Sequence, residues 1–208
     1  MQNVVVVDHP LVRHNLTCLR DRHTGLLEFR RLLGEISLLM SYEIARSFQT
    51  VQVEVQTPLE ATRGTRLRRQ VVLIPVLRAG LGMLNSILSI FPRAQVGFIG
   101  LKRDEKTLEP HFYYENFPKN LARREVVLID PMLATGGTVV AAMDLLARHG
   151  AKRVKLLSLL AAPEGIRRVH EKFPHLAIYT AAIDRRLNKR GYILPGLGDA
   201  GDRLFGTA

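Results

Sequence analysis

The sequence predicts an α/β protein built on an open, mostly parallel β-sheet with helices on both faces. Short apolar runs recur at Val71 to Pro75, Val126 to Ile129 and Lys155 to Ala161, the first two rich in β-branched residues; they are too short for helices and read as parallel strands buried on both faces. Segments with apolar residues at helical spacing alternate with them, and that alternation is the pattern of a doubly wound sheet. The chain has 208 residues, 47% of them hydrophobic, enough for one large core, and it shows no internal repeat or low-complexity linker. One domain is therefore expected over residues 1–208.

Taken in order, Val4 to Val7 reads as a short strand and Leu11 to Arg20 as a first helix. After Thr24 a longer helix is expected, because Leu26, Phe29, Leu33, Ile36, Met40, Ile44 and Phe48 keep a 3.6-residue period. Val51 to Gln56 alternates as an edge strand, and Thr57 to Leu67 reads as a polar excursion. Val71 to Pro75 is a buried strand that ends in Arg78-Ala79-Gly80-Leu81-Gly82, a glycine turn feeding a helix from Met83 to Phe91. Gln95 to Leu101 is the next strand. The polar and aromatic stretch 102–118 reads as a loop long enough to serve as a lid. After the strand Val126 to Ile129 come Asp130, Pro131 and the turn Thr135-Gly136-Gly137-Thr138, then a helix through Val139, Ala142, Met143 and Leu146 that stops at Gly150. Lys155 to Ala161 and Ala177 to Ala181 flank a helix from Glu164 to Phe173. The last block, from Tyr192 to Arg203, holds three glycines and a proline among Ile193, Leu194 and Leu197. It reads as irregular backbone held against an apolar wall, suited to a flat amide-like base.

Composition removes several classes. The longest uncharged apolar stretch, Ala79 to Pro92, is too short to span a bilayer, and the start MQNVVVVDHP has no basic segment of the secretory kind, so no membrane partner and a cytoplasmic location are expected. A single cysteine, Cys18, excludes an internal disulfide framework. The seven histidines show no ligand spacing, so no protein-held structural metal is expected. The net charge of +11 has two readings, a nucleic-acid surface or a basic cleft for a small polyanion. The basic residues are scattered, and the clusters Arg63 to Arg69 and Arg185 to Arg190 lack interleaved aromatics, which favours the second reading.

The chemistry concentrates at the strand–turn–helix of Val126 to Thr138. Backbone N–H groups of the turn and of the first helical turn converge there and form a ready anion site, with two glycines for close approach and the hydroxyls of Thr135 and Thr138 as further donors. Asp130 would repel a phosphate unless it faces another part of the ligand. A phosphorylated sugar resolves the conflict: hydroxyls go to Asp130 and the phosphate goes to the turn. No G-x-x-x-x-G-K-[ST] motif occurs, and Asn85 stands where a dinucleotide fingerprint beginning at Gly80 needs a small residue.

This segment resembles the phosphoribosyl-diphosphate (PRPP) signature, and the whole chain resembles the uracil phosphoribosyltransferase family. The resemblance implies a type I phosphoribosyltransferase fold with a small hood over residues 185–208 and a mobile arm over 102–118. It further implies transfer of phosphoribose from PRPP to uracil, giving UMP and diphosphate. On that basis Asp130, Pro131, Met132, Leu133, Ala134, Thr135, Gly136, Gly137 and Thr138 bind PRPP, with Arg78 and Arg103 on its diphosphate. Ile193, Gly198, Asp199 and Ala200 contact uracil; Asp199 also lies near PRPP, and Arg103, Asp130 and Asp199 are the candidate catalytic residues. Many relatives end the central strand in two acidic residues, whereas Pro131 stands second here, leaving one carboxylate for the ribose. The resemblance also implies Mg²⁺ carried in with PRPP, a homodimer or larger assembly, and GTP as an effector in some members. Two alternatives stand beside it: an RNA-binding regulator of the same fold, and the same reaction on another base.

Overall fold

The computed structural model describes residues 3–207 except 104–109. The elements run β1 (Val4–Val6), α1 (Pro10–Arg20), α2 (Leu26–Ala45), β2 (Thr50–Gln56), β3 (Ala61–Leu67), β4 (Val71–Leu77), α3 (Leu81–Ile90), β5 (Gln95–Val96), β6 (Phe98–Arg103) and β7 (Pro110–Asn116). Then follow β8 (Glu125–Ile129), β9 (Met132–Leu133), α4 (Gly137–Arg148), β10 (Val154–Ala161), α5 (Pro163–Lys172), β11 (Ala177–Ile183), β12 (Arg186–Leu187), β13 (Ile193–Leu194) and α6 (Ala200–Phe205). The main sheet has the order β1-β11-β10-β8-β4-β6-β7, with β5 and β9 pairing β4 and β10. Every pairing in it is parallel except that of β7 with β6.

Alternation along the strands divides the core into two layers. On one face Leu73, Val127, Ile129 and Leu157 pack with Phe29, Ile36 and Met40 of α2 and Met83 and Ile87 of α3. On the other, Val72, Ile74, Val126, Leu128 and Leu156 pack with Val139, Ala142 and Leu146 of α4 and Ile166 and Val169 of α5. Parallel strands sandwiched in this way put all their carboxyl ends on one rim, where β6 ends and the turns after β4 and β8 gather.

Val51 to Gln56 is an edge strand as expected, in a separate antiparallel hairpin of β2 and β3 with Val53 opposite Gly64. Three expectations are corrected. The supposed excursion Thr57 to Leu67 contains β3, whose residues are exposed except Gly64, so no buried face marked it as a strand. The strand expected over Gln95 to Leu101 is interrupted at Gly97 and continues to Arg103. The loop expected over 102–118 is largely a hairpin arm, because β6 and β7 pair antiparallel from Phe98 opposite Asn116 to Arg103 opposite Pro110; its tip, 104–109, lies outside the described residues. Among the described residues no helix is long and apolar enough to cross a membrane.

Candidate active site

A cleft of about 220 Å³ opens on the rim where β4, β6 and β8 end. β8 is fully buried up to Ile129 and delivers Asp130, half-buried, into that cleft. Burial pushes the Asp130 carboxyl up to about 7, and a long bond of 3.5 Å from the Met132 backbone N–H opposes the shift.

The chain beyond Asp130 is fixed from both sides. On the β10 side, the Pro131 carbonyl accepts the Leu160 N–H at 3.0 Å and the Leu133 N–H donates to Ser158 Oγ at 3.0 Å. On the α5 side Gly165 lies so close that a Cβ there would stand 2.3 Å from the Ala134 carbonyl oxygen. Only glycine fits between that helix and the turn. Gly136 has φ +79° and caps α4 with no side-chain hydrogen bond; apart from Gly137, whose N–H makes a long 3.5 Å bond to Thr135 Oγ1, the first-turn N–H groups of that helix are left for a ligand. Met132, Leu133, Ala134, Thr135, Gly136 and Thr138 line the cleft. Pro131 and Gly137 are buried and shape the turn without lining it.

Arg78 follows β4 and is exposed on the cleft wall, its guanidinium 5.6 Å from the centre of the Phe205 ring. The backbone of Arg103 ends β6, the strand beside β4, so the chain is on the same rim; its side chain lies outside the described residues. Ile193, Gly198, Asp199 and Ala200 close the cleft from the C-terminal block. Asp199 also caps α6, accepting the Asp202 N–H at 3.0 Å with Oδ1, which uses one of its two oxygens. α6 is seated on α3 by Leu204, which fills the space beside Gly82.

Sequence reasoning missed Leu77, Ala79, Tyr192 and Gly201, which also line the cleft. It also missed what holds the C-terminal block. Arg203 donates to the carbonyls of Leu19, Leu197 and Asp21 at 2.8, 2.9 and 2.7 Å and stacks 4.5 Å from the centre of the Phe29 ring, while Arg20 and Asp184 hold Gly196. One signal was available: Ile183-Asp184 repeats at the end of β11 the arrangement of Ile129-Asp130 at the end of β8. Among the described residues no group of three or more His, Cys, Asp or Glu is placed to hold a metal ion.

A mostly parallel sheet carrying a glycine turn at a helix N-terminus, an acidic strand end and an arginine turn on a single rim has the architecture of a phosphoribosyltransferase. An adenine phosphoribosyl transferase from Trypanosoma brucei shares the fold at a TM-score of 0.61, with 15% identity over 96% of this chain and 89% of that one. A solved protein from Aquifex aeolicus superposes far more closely, at a TM-score of 0.94 and 41% identity over 99% of both chains. The family model described as uracil phosphoribosyltransferase matches residues 6–207, and the uracil phosphoribosyltransferase of Symbiobacterium thermophilum is 55% identical over the full length of both chains. The chain belongs to the uracil phosphoribosyltransferase family.

Proposed function

We propose that this chain transfers the 5-phosphoribosyl group of PRPP to N1 of uracil, giving UMP and diphosphate. The observation that carries the reading is the joining, in one cleft, of an uncapped helix N-terminus, a single carboxylate at a strand end and a glycine-rich hood. In this reading the turn Thr135 to Thr138 holds the 5′-phosphate through directed N–H and hydroxyl bonds. Asp130 accepts hydroxyl hydrogens of the ribose, and Pro131 shapes the turn where relatives carry a second acid.

The bond from ribose C1 to the diphosphate oxygen breaks ahead of the bond forming to uracil N1, so positive charge builds on the ribose and negative charge on the departing diphosphate. Arg78 and Arg103 stand on the rim where that negative charge grows. Among the described residues no carboxylate cluster is placed to hold Mg²⁺ by itself; it would be held mainly by oxygens of PRPP, and when bound it supplies further neutralisation of the diphosphate. The hood, residues 185–208, presents backbone amides and carbonyls around Ile193 and Gly198 to Ala200 to the polar edge of uracil. Asp199, which lines the cleft and uses Oδ1 to cap α6, is the candidate by position for taking the N1 proton as the base attacks. The arm 102–118 closes over the reacting sugar and excludes water from it. The β2–β3 hairpin, a separate two-stranded sheet with Val51, Val53 and Val55 only partly covered, supports assembly into a dimer or larger homo-oligomer of a cytoplasmic enzyme. A GTP effector, known for some members, belongs to the same reading by resemblance alone.

The test is stoichiometry. With PRPP, Mg²⁺ and uracil, UMP and diphosphate are expected in equal amounts; ribose 5-phosphate accumulating without UMP would make the protein a hydrolase and overturn the reading.

A further inference from the structure

The hood reaches the cleft as a loop, yet its backbone is held from behind by one ion pair. Arg20, the last residue of α1, meets Asp184, the residue after β11, through two parallel bonds, Nη1 to Oδ2 at 2.8 Å and Nη2 to Oδ1 at 2.7 Å. The Asp184 side chain is 6% exposed and that of Arg20 22%. Both residues also hold Gly196: its N–H donates to Asp184 Oδ2 at 2.9 Å, and its carbonyl accepts from Arg20 Nη1 at 2.8 Å. Both backbone polar groups of one hood residue thus end on a single buried ion pair.

Gly196 is also the residue at which the hood turns. It has φ +61°, and a Cβ there would stand 2.2 Å from the carbonyl oxygen of Ile193, so the turn folds tightly back on that residue. Ile193 lines the cleft, as do Gly198 and Asp199 on the far side of the turn. Any movement of Gly196 therefore shifts the two cleft-lining stretches relative to each other. The phosphate turn is fastened elsewhere, to Ser158 and Gly165, and does not depend on this pair.

We propose that Arg20 and Asp184 are positioning residues for the base: they touch no substrate, but they fix the register in which the hood presents its backbone edge to uracil. The inference rests on the hood being the base site. An ion pair serving only stability would affect both substrates alike. A pair that sets the hood acts on uracil and spares PRPP.

The test is steady-state kinetics with each substrate varied, together with thermal unfolding, on four variants. Asp184→Asn keeps the side-chain shape but leaves one oxygen to serve both Arg20 and Gly196, and Arg20→Lys keeps the charge but loses the planar fork. Each is expected to raise KM for uracil about tenfold or more while KM for PRPP stays within about twofold. Glu125→Gln breaks the comparably buried Lys155–Glu125 pair at the opposite ends of the strands, where the side chains are 14% and 7% exposed. It is expected to lower Tm without separating the two KM values. Ala200→Leu narrows the cleft on its hood side and is expected to raise KM for uracil directly. Parallel changes in both KM values for Asp184→Asn and Arg20→Lys, or none, would overturn the positioning role. If Ala200→Leu also left uracil binding unchanged, the base-site assignment would fall with it; a response of Ala200→Leu alone would confine the failure to the ion pair.

Discussion

Arg78→Ala is expected to lower kcat for diphosphate release by about 10²–10³, the usual cost of removing one charge aimed at a developing anion. Arg78 is exposed, and its guanidinium stacks on Phe205, 5.6 Å from the ring centre. Such a contact contributes about 0.5–1 kcal/mol at an exposed site, so Tm should move by no more than about 2–4 °C in a chain of this size. Stopped-flow measurement of a single turnover, with enzyme in excess over PRPP, separates the chemical step from product release. A loss confined to KM, with the single-turnover rate unchanged, would mean that Arg78 holds the ground state only. Arg78→Lys should recover part of the rate, because an ammonium restores the charge without the planar pair of donors.

Asp130→Asn is expected to act in opposite directions on activity and on stability. The carboxyl titrates near 7 in the folded protein because burial disfavours its charge, against about 3.8 in an unfolded chain. The sign follows from linkage. Below pH 3.8 the group is protonated in both states and contributes nothing; between 3.8 and 7 the unfolded chain loses its proton first, so stability falls as pH rises; above 7 the penalty is complete. At about 1.4 kcal/mol for each pH unit separating the two values, it amounts to at most about 4 kcal/mol. Asparagine carries no such charge, so ligand-free Asp130→Asn should melt several degrees above the parent chain at pH 8 and close to it at pH 4. The same substitution should raise KM for PRPP by about tenfold or more, because an amide is a weaker acceptor for ribose hydroxyls than a carboxylate. In the parent chain, kcat/KM for PRPP should fall as pH drops below about 7 as Asp130 takes up its proton, and the variant should lack that limb. A variant with unchanged KM for PRPP would remove Asp130 from the ribose site.

The parts of this site that are local in sequence were legible from the sequence. A buried strand, an acid at its end and a Thr-Gly-Gly-Thr turn before a helix lie within a few residues of one another, and the physics that would make them an anion site operates over that same stretch. Arg78 was legible for a related reason: parallel strands share a rim, so two glycine turns after two buried strands must lie near each other. The hairpin of β2 and β3 was half missed because period-2 alternation marks a strand only when one face is buried, and β3 is exposed on both. The arm of β6 and β7 was taken for a loop on similar grounds, since His111 to Asn116 are all exposed. Least legible was the support of the hood. Arg20 and Asp184 are separated by 164 positions, and Arg203 reaches Leu19 across 184; at the sequence level each is one more basic or acidic residue in a chain rich in charge.

Base selectivity tests the central claim most directly. The measurement is the rate of diphosphate release from PRPP and Mg²⁺ with uracil, cytosine, hypoxanthine, adenine or orotate supplied singly at equal concentration. Turnover with uracil and none above background with the other four is the predicted result if, as proposed, the hood offers its backbone edge to a small pyrimidine. Release supported equally by a purine, or by no base while PRPP still binds, would contradict it.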